Sequence, residues 1–209
     1  MRPVNRDTLP HLVATAFDHA RAALDTRAAR ALARWWGIAV GAGSRFYGLP
    51  ILRRHPGSRI RIGARCELRS ARWSNQVGLA RPCMISTLAE GAEVEIGEGS
   101  GLSGTVIGAA RSVVIGRGVL CGANCTITDT DWHAVDPDGR REAAPRSAPV
   151  VIEDGVWLSM NVTVLKGVTI GEGTVVAAGS VVSRSLPPRV VAGGSPAVAL
   201  RPLGTGQAA

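Results

Sequence analysis

Residues 151–183 read VIEDGVWLSMNVTVLKGVTIGEGTVVAAGSVVS, and an aliphatic residue returns in them at every sixth position. Ile152, Leu158, Val164, Ile170, Val176 and Val182 carry this beat, and a second series, Val156, Val162, Val168, Thr174 and Ser180, lies four residues after each. A helix repeats near 3.6 residues and a strand at 2. Six is a multiple of two, so the beat fits short strands broken at regular corners, whereas on a helix it drifts off any single face. Three hexads then make one triangular turn. Stacked turns lie about 4.8 Å apart and pile equivalent side chains into inner columns, because no single turn can bury its own apolar side.

Working outward, the beat is carried earlier by Ile62 and Leu68, Leu79 and Ile85, Ile96 and Leu102, then Ile115, Cys121 and Ile127. A glycine follows the aliphatic residue at Gly63, Gly97, Gly116 and Gly171, as corners need either positive φ or close backbone approach. Residues 130–149 (TDWHAVDPDGRREAAPRSAP) break the rhythm, and their charge and proline mark a loop ejected from the coil. Pro187 and Pro188 stop the beat, since proline cannot donate to a ladder. The expected fold is all-β, a parallel β-helix over residues 46–186, with about seven turns between 58 and 186 once the loop is set aside. A helical extension over 1–45 precedes it and a strand or tail over 187–209 follows.

Within that extension, residues 8–38 read as helix. Leu9, Leu12, Val13, Ala16, Phe17, Ala20, Leu24, Ala28, Ala31, Leu32 and Trp35 recur at three- and four-residue spacing, with arginines on much of the other face. Thr8 with Pro10 marks a start, and Gly37, Gly41 and Gly43 a stop. Two readings stay open. A helix or helix pair packs against the main domain, or a basic amphipathic helix rests on anionic lipid, an option that the Trp35–Trp36 pair supports.

The chain has 209 residues, 45% hydrophobic composition, only 4% aromatics and 26 glycines, which suits one domain of repeated small cross-sections. Its formal net charge is +8. That charge serves solubility, or draws anionic substrates, cofactor phosphates or a membrane surface. No nucleic-acid module is present, so nucleic acid is not an expected partner. Cys66, Cys83, Cys121 and Cys125 form no CxxC pair and read as buried free thiols in a reducing compartment. Met1 to Pro10 is polar and interrupted by proline, unlike a secretory signal. No apolar run approaches the roughly 18 residues needed to span a bilayer. The expected location is the cytoplasm.

The ordered blocks ITDTDWH, APVVIEDGVW, LKGVTIGEGTVVAAGSVVSRSLPP and VVAGGSPA resemble the left-handed β-helix hexapeptide acyltransferases. Within that family the chain is similar to the sugar O-acetyltransferases of the maltose and galactoside type and their relatives that decorate surface polysaccharides. The resemblance covers roughly residues 46–202. It implies acetyl-coenzyme A or another acyl-coenzyme A as donor, an alcohol or amine acceptor, no metal, and a homotrimer with active sites between neighbouring coils.

Acyl transfer from a thioester needs a base near the acceptor, a polarised carbonyl and a held donor. His133 matches the family's catalytic histidine in ITDTDWH, and an unperturbed imidazole near pKa 6.5 is available as a base at neutral pH. Asp131 would orient that ring or make a turn; Asp129 reads as turn chemistry. Asn124 faces a corner and would help bind the acceptor, or simply fill the corner. Trp157, one before the inward Leu158, points outward and matches the family tryptophan that contacts the pantetheine arm or the site wall. Ser159 and Met160 stand where the family has a glycine-containing corner. Met160 and Ala178, one turn apart, would offer backbone amides to the donor. Lys166, Arg184 and Arg201 are the candidate cations for its phosphate end. Arg140, Arg141 and Arg146 in the loop serve an anionic acceptor or solubility.

The expected activity is transfer of an acetyl group to a hydroxyl of a sugar or glycan precursor. An amino sugar or antibiotic acceptor is the alternative. A β-helix carbonic anhydrase would need three zinc-binding histidines where only His133 is at hand. A non-catalytic scaffold does not account for His133, Trp157 and the donor-side blocks together. The serine acetyltransferases carry a much longer helical amino-terminal domain. A lipid-linked sugar held at the inner membrane would suit the basic amino-terminal helix. The sequence does not disclose which acceptor group reacts.

Overall fold

The computed structural model describes residues 5–204. The extreme ends of the extension and of the tail lie outside the described residues. Helix α1 (Leu9–Trp35) comes first. It stops where Gly37 takes φ +64, which lets the Gly37 and Ile38 amides donate back to the Arg34 and Ala33 carbonyls. The chain then enters a three-sided parallel coil, each turn contributing one short strand to each of three sheets. These sheets are termed faces A, B and C.

The first turn is Ala39–Val40 on face A, Arg45–Tyr47 on face B and Ile51–Arg53 on face C. Five further turns follow. The last comprises Thr169–Ile170, Val175–Val176 and Val181–Val182. The coil therefore starts some twenty residues before the beat becomes legible at residue 58, and takes in residues read above as extension. Between 58 and 186 it makes five turns, fewer than the seven expected. The reason is a second ejected segment. Residues 70–83 leave face B after Glu67–Arg69 and rejoin face C only at Met84–Thr87. Leu79, read as part of the beat, is buried within that segment and belongs to no strand.

The repeat positions stack in register. Ile62, Ile96, Ile115, Ile152 and Ile170 line face A. Phe46, Leu68, Leu102, Cys121, Leu158, Val176 and Ala192 line face B. Leu52, Ile85, Ile107, Ile127, Val164 and Val182 line face C. All of these are buried. The glycines that follow the face-A isoleucines, Gly63, Gly97, Gly116 and Gly171, serve close approach rather than positive φ. A Cβ on Gly63 would sit 2.7 Å from the Glu98 nitrogen, and one on Gly97 would collide with the Gly116 carbonyl group. Pro187 and Pro188 do not end the coil; they occupy its A–B corner. The chain goes on to Val190–Gly194, parallel to the last face-B strand, and returns antiparallel as Ala197–Pro202. A corner needs no ladder donor, so proline is tolerated there.

Helix α1 covers the open first turn. The Thr26 hydroxyl accepts from the Phe46 amide at 2.9 Å, the Asp25 carboxylate accepts from the Gly48 amide at 2.7 Å, and Arg30 donates to the Gly41 carbonyl at 2.8 Å. These bonds occupy backbone groups that an uncovered coil end would leave open. The packed face is Ala22, Ala29 and Ala33. The helix therefore packs on the coil, with Leu32 of the apolar stripe partly buried against the core, while Leu9, Leu12, Val13, Phe17, Leu24 and Trp35 of that stripe are exposed. A flat layer of backbone admits a helix closely only where the side chains are small.

Candidate active site

The loop of residues 129–149 leaves the coil at the C–A corner, after Thr126–Thr128. Its root is fastened by a buried carboxylate. Asp129 accepts from the amides of Ala110, Arg111 and Ser112 at 2.7, 2.6 and 2.6 Å. Three charge-assisted bonds to the corner of the preceding turn fix where the loop begins. The two stems are then tied together. Thr130 bridges Ser147, the Asp131 amide donates to the Arg146 carbonyl at 3.0 Å, and the Ala148 amide donates to the Asp129 carbonyl at 2.9 Å.

Trp132 holds the outer part of the loop to face C. Its indole N–H donates to the Thr128 hydroxyl at 3.1 Å. Its ring lies over Gly108, where an added Cβ would sit 2.8 Å from Cζ2. Trp132 itself adopts φ +66, a left-handed conformation that a bulky residue keeps only when its surroundings hold it there. The next residue, His133, is exposed, so its imidazole stands at the rim of face C on a positioned backbone. Sequence reading passed over Trp132 and Gly108. A glycine inside the strand Val106–Ala109, away from any corner, is the signal of close approach that points to them.

Asp131 and Lys166 are brought together, carboxylate to ammonium at 2.6 Å. The two were assigned to different tasks, orientation of the histidine and donor binding; here they meet each other beneath the loop. Asp131 accordingly has a partner other than His133. Arg184 is exposed on the following turn, eighteen residues after Lys166 at the same C–A corner. Arg201 lies elsewhere, on the terminal strand beside Val191 of face B.

Asn124 sits at the B–C corner with φ +64, above Asn161 at φ +58 and below Gly104 at φ +56. Its amide is committed to the other ejected segment. The Oδ1 accepts from the Ala80 amide at 2.9 Å and the Nδ2 donates to the Gly78 carbonyl at 3.2 Å. Arg81 completes the clasp, donating to the Asn124 carbonyl at 2.9 Å and to the Thr126 hydroxyl at 2.7 Å. The substitution of Ser159 and Met160 for a glycine is accommodated because Asn161 supplies the left-handed corner residue.

Trp157 projects from face B with 49% of its surface exposed, between Leu120 and Val175. Three residues on, the Met160 carbonyl accepts from the Gly179 amide at 3.0 Å, which stacks the Met160 and Ala178 corners. Among the described residues, the Met160 and Ala178 amides donate to no protein acceptor and remain available to a ligand. The candidate residues thus fall into two groups. His133, Asp131, Lys166 and Arg184 gather at the C–A corner; Trp157, Met160, Ala178 and Asn124 lie on face B and at the B–C corner. Face C separates them.

The four cysteines are free and buried. Burial pushes each thiol up, Cys125 to about 11, so none is a nucleophile near neutrality. Among the described residues no group of three or more His, Cys, Asp or Glu side chains is placed to hold a metal ion.

Residues 149–184 match the model of the bacterial transferase hexapeptide, six repeats. The galactoside O-acetyltransferase of Lactococcus lactis is 43% identical over 89 residues, 43% of this chain and 42% of that protein. That of Escherichia coli is 38% identical over 90 residues, 43% of this chain and 44% of the other. The matched regions thus span less than half the length of these curated relatives. A hexapeptide-repeat acetyltransferase from Vibrio cholerae, solved in complex with acetyl-coenzyme A, superposes with a TM-score of 0.52 at 27% identity. That superposition covers 84% of this chain and 76% of the other. The chain carries hexapeptide-transferase repeats over residues 149–184, is similar in sequence to galactoside O-acetyltransferases over less than half of its length, and is similar in fold to a hexapeptide-repeat acetyltransferase.

Proposed function

We propose that this chain transfers an acetyl group from acetyl-coenzyme A to a hydroxyl of a sugar or glycan precursor. It acts as a homotrimer of left-handed β-helices in polysaccharide biosynthesis, in the cytoplasm and peripheral to the inner membrane. The observation that carries the reading is the placement of His133, exposed at the rim of face C on a loop held by Asp129 and Trp132. The imidazole removes the acceptor hydroxyl proton as that oxygen attacks the thioester carbonyl. The tetrahedral intermediate collapses, the carbon–sulfur bond breaks, and coenzyme A leaves as a thiolate that takes up a proton.

The donor fits the second group of residues. The free amides of Met160 and Ala178 offer a ladder to the amide groups of the pantetheine arm, and Trp157 supplies an apolar wall beside it. Arg184, which holds no ion pair among the described residues, is the cation at the C–A corner assigned to the phosphates; Lys166 is neutralised by Asp131. Because face C separates the two groups within one coil, a site that uses both takes the histidine loop from one copy and the tryptophan face from another. Three flat-sided prisms side by side satisfy that requirement with closed symmetry.

The test is release of coenzyme A thiol from acetyl-coenzyme A in a screen of sugar and amino-sugar acceptors. Turnover with a hydroxyl acceptor that falls about 10²–10⁴-fold in His133→Ala supports the reading. No turnover with any acceptor, or an unchanged rate in that variant, overturns it.

A further inference from the structure

We propose that the outward stripe of helix α1 is a docking surface for an anionic lipid bilayer. The coil is covered by one side of this helix, through Ala22, Asp25, Thr26, Ala29, Arg30 and Ala33. Leu9, Val13, Phe17, Leu24 and Trp35 lie on the opposite side, within an arc of about 80° at 100° per residue. Phe17 is 58% exposed, Leu24 64% and Trp35 85%. A row of large apolar side chains along a 27-residue helix, about 40 Å long, is not a scatter of single exposed residues.

Charge selects the occupant. On the helical projection Arg27 and Arg34 edge the stripe on one side and Arg21 on the other, while Asp18 and Asp25 lie on the remote side. Arg21 lies over the Phe17 ring at 4.7 Å and over the Trp73 ring at 5.5 Å, which fixes that edge of the stripe against the excursion 70–83. Of the coil carboxylates a second copy would bring, Glu67, Glu93, Glu98 and Asp154 are already paired with Arg69, Arg59, Arg65 and Arg117, so it offers those arginines only scattered groups such as Glu95 and Glu172, whereas a headgroup layer is charged throughout. An anionic headgroup layer supplies the missing charge, and its acyl boundary takes the apolar side chains. No helix among the described residues is long and apolar enough to cross a membrane, so the contact lies along the surface.

This proposal deepens the peripheral location given above but does not depend on acetyl transfer. The full chain is sedimented with vesicles of phosphatidylcholine alone and of phosphatidylcholine mixed with phosphatidylglycerol. Binding to the mixed vesicles only, weakened by salt, is expected. F17S/L24S should lower the partition about tenfold or more, and R27Q/R34Q should lower it on the mixed vesicles with unchanged circular dichroism. Absence of binding, equal binding to both vesicle types, or binding retained in F17S/L24S overturns the proposal. So does a fall in solution mass of F17S/L24S measured without lipid, which would assign the stripe to a second copy. Coenzyme A release by the unaltered chain is read separately, so failure of either reading leaves the other standing.

Discussion

The last two turns of the coil and its middle three are built from the same hexad and differ in what leaves them. Residues 150–182 run without interruption, in strands of two or three residues, and all their inward positions are filled by aliphatic side chains or small hydroxyls. Residues 59–128 carry longer strands, yet they support both ejected segments, 70–83 and 129–149, around face C. Stacking sustains the first region. The second also needs polar fasteners: the Asp129 carboxylate, the Asn124 amide, the Arg81 guanidinium and the Trp132 indole. Polar fasteners collect where the repeat yields chain to the outside, because a strict hexad leaves no length for a loop.

That contrast can be broken from the regular side first. Leu158→Ala removes a buried column residue between Cys121 and Val176 and should cost about 2–5 kcal/mol in urea unfolding. A smaller loss would mean that the stack collapses around the gap. On the interrupted side, Asp129→Ala strands three amides and should cost about 3 kcal/mol while also lowering acetyl transfer. Loss of stability with full activity would dissociate the loop root from the site. Trp132→Ala should lower kcat about tenfold to a hundredfold with little change in melting, since it moves His133 rather than the core. Lys166→Gln removes one partner of a partly exposed ion pair and should shift stability by less than about 1 kcal/mol. Least of all should happen to the thiols. With Cys125 pushed up to about 11 by burial, and the other three also raised, the native chain should react negligibly with a thiol reagent at about pH 8. Unfolding should then expose all four.

The uninterrupted region was legible because every inward residue from Ile152 to Val182 falls on one of two series with the same six-residue period. The helix was legible in existence and ends, through Pro10 and Gly37, but not in orientation. Apolar spacing identifies a stripe, and only the surface below decides whether that stripe or the alanines fit against it. Of the candidate site, the outward direction of Trp157 and the place of His133 at the mouth of the loop could be read from their blocks. The Asp131–Lys166 pair could not, since 35 residues separate its members and only the closing of the coil brings them together. Nor could the clasp between Asn124 and residues 78–80, because the excursion of 70–83 hid behind Leu79, an apolar residue that happened to suit the beat.

By itself the sequence determined the cross-section: a six-residue period fixes which side chains face inward, whatever the rest of the chain does. Tertiary structure decided the rest. It set how many turns there are, which side of helix α1 meets the coil and which candidate groups share a corner. These depend on where segments leave and rejoin the stack, and on how closely two surfaces approach, which no local pattern of residues contains.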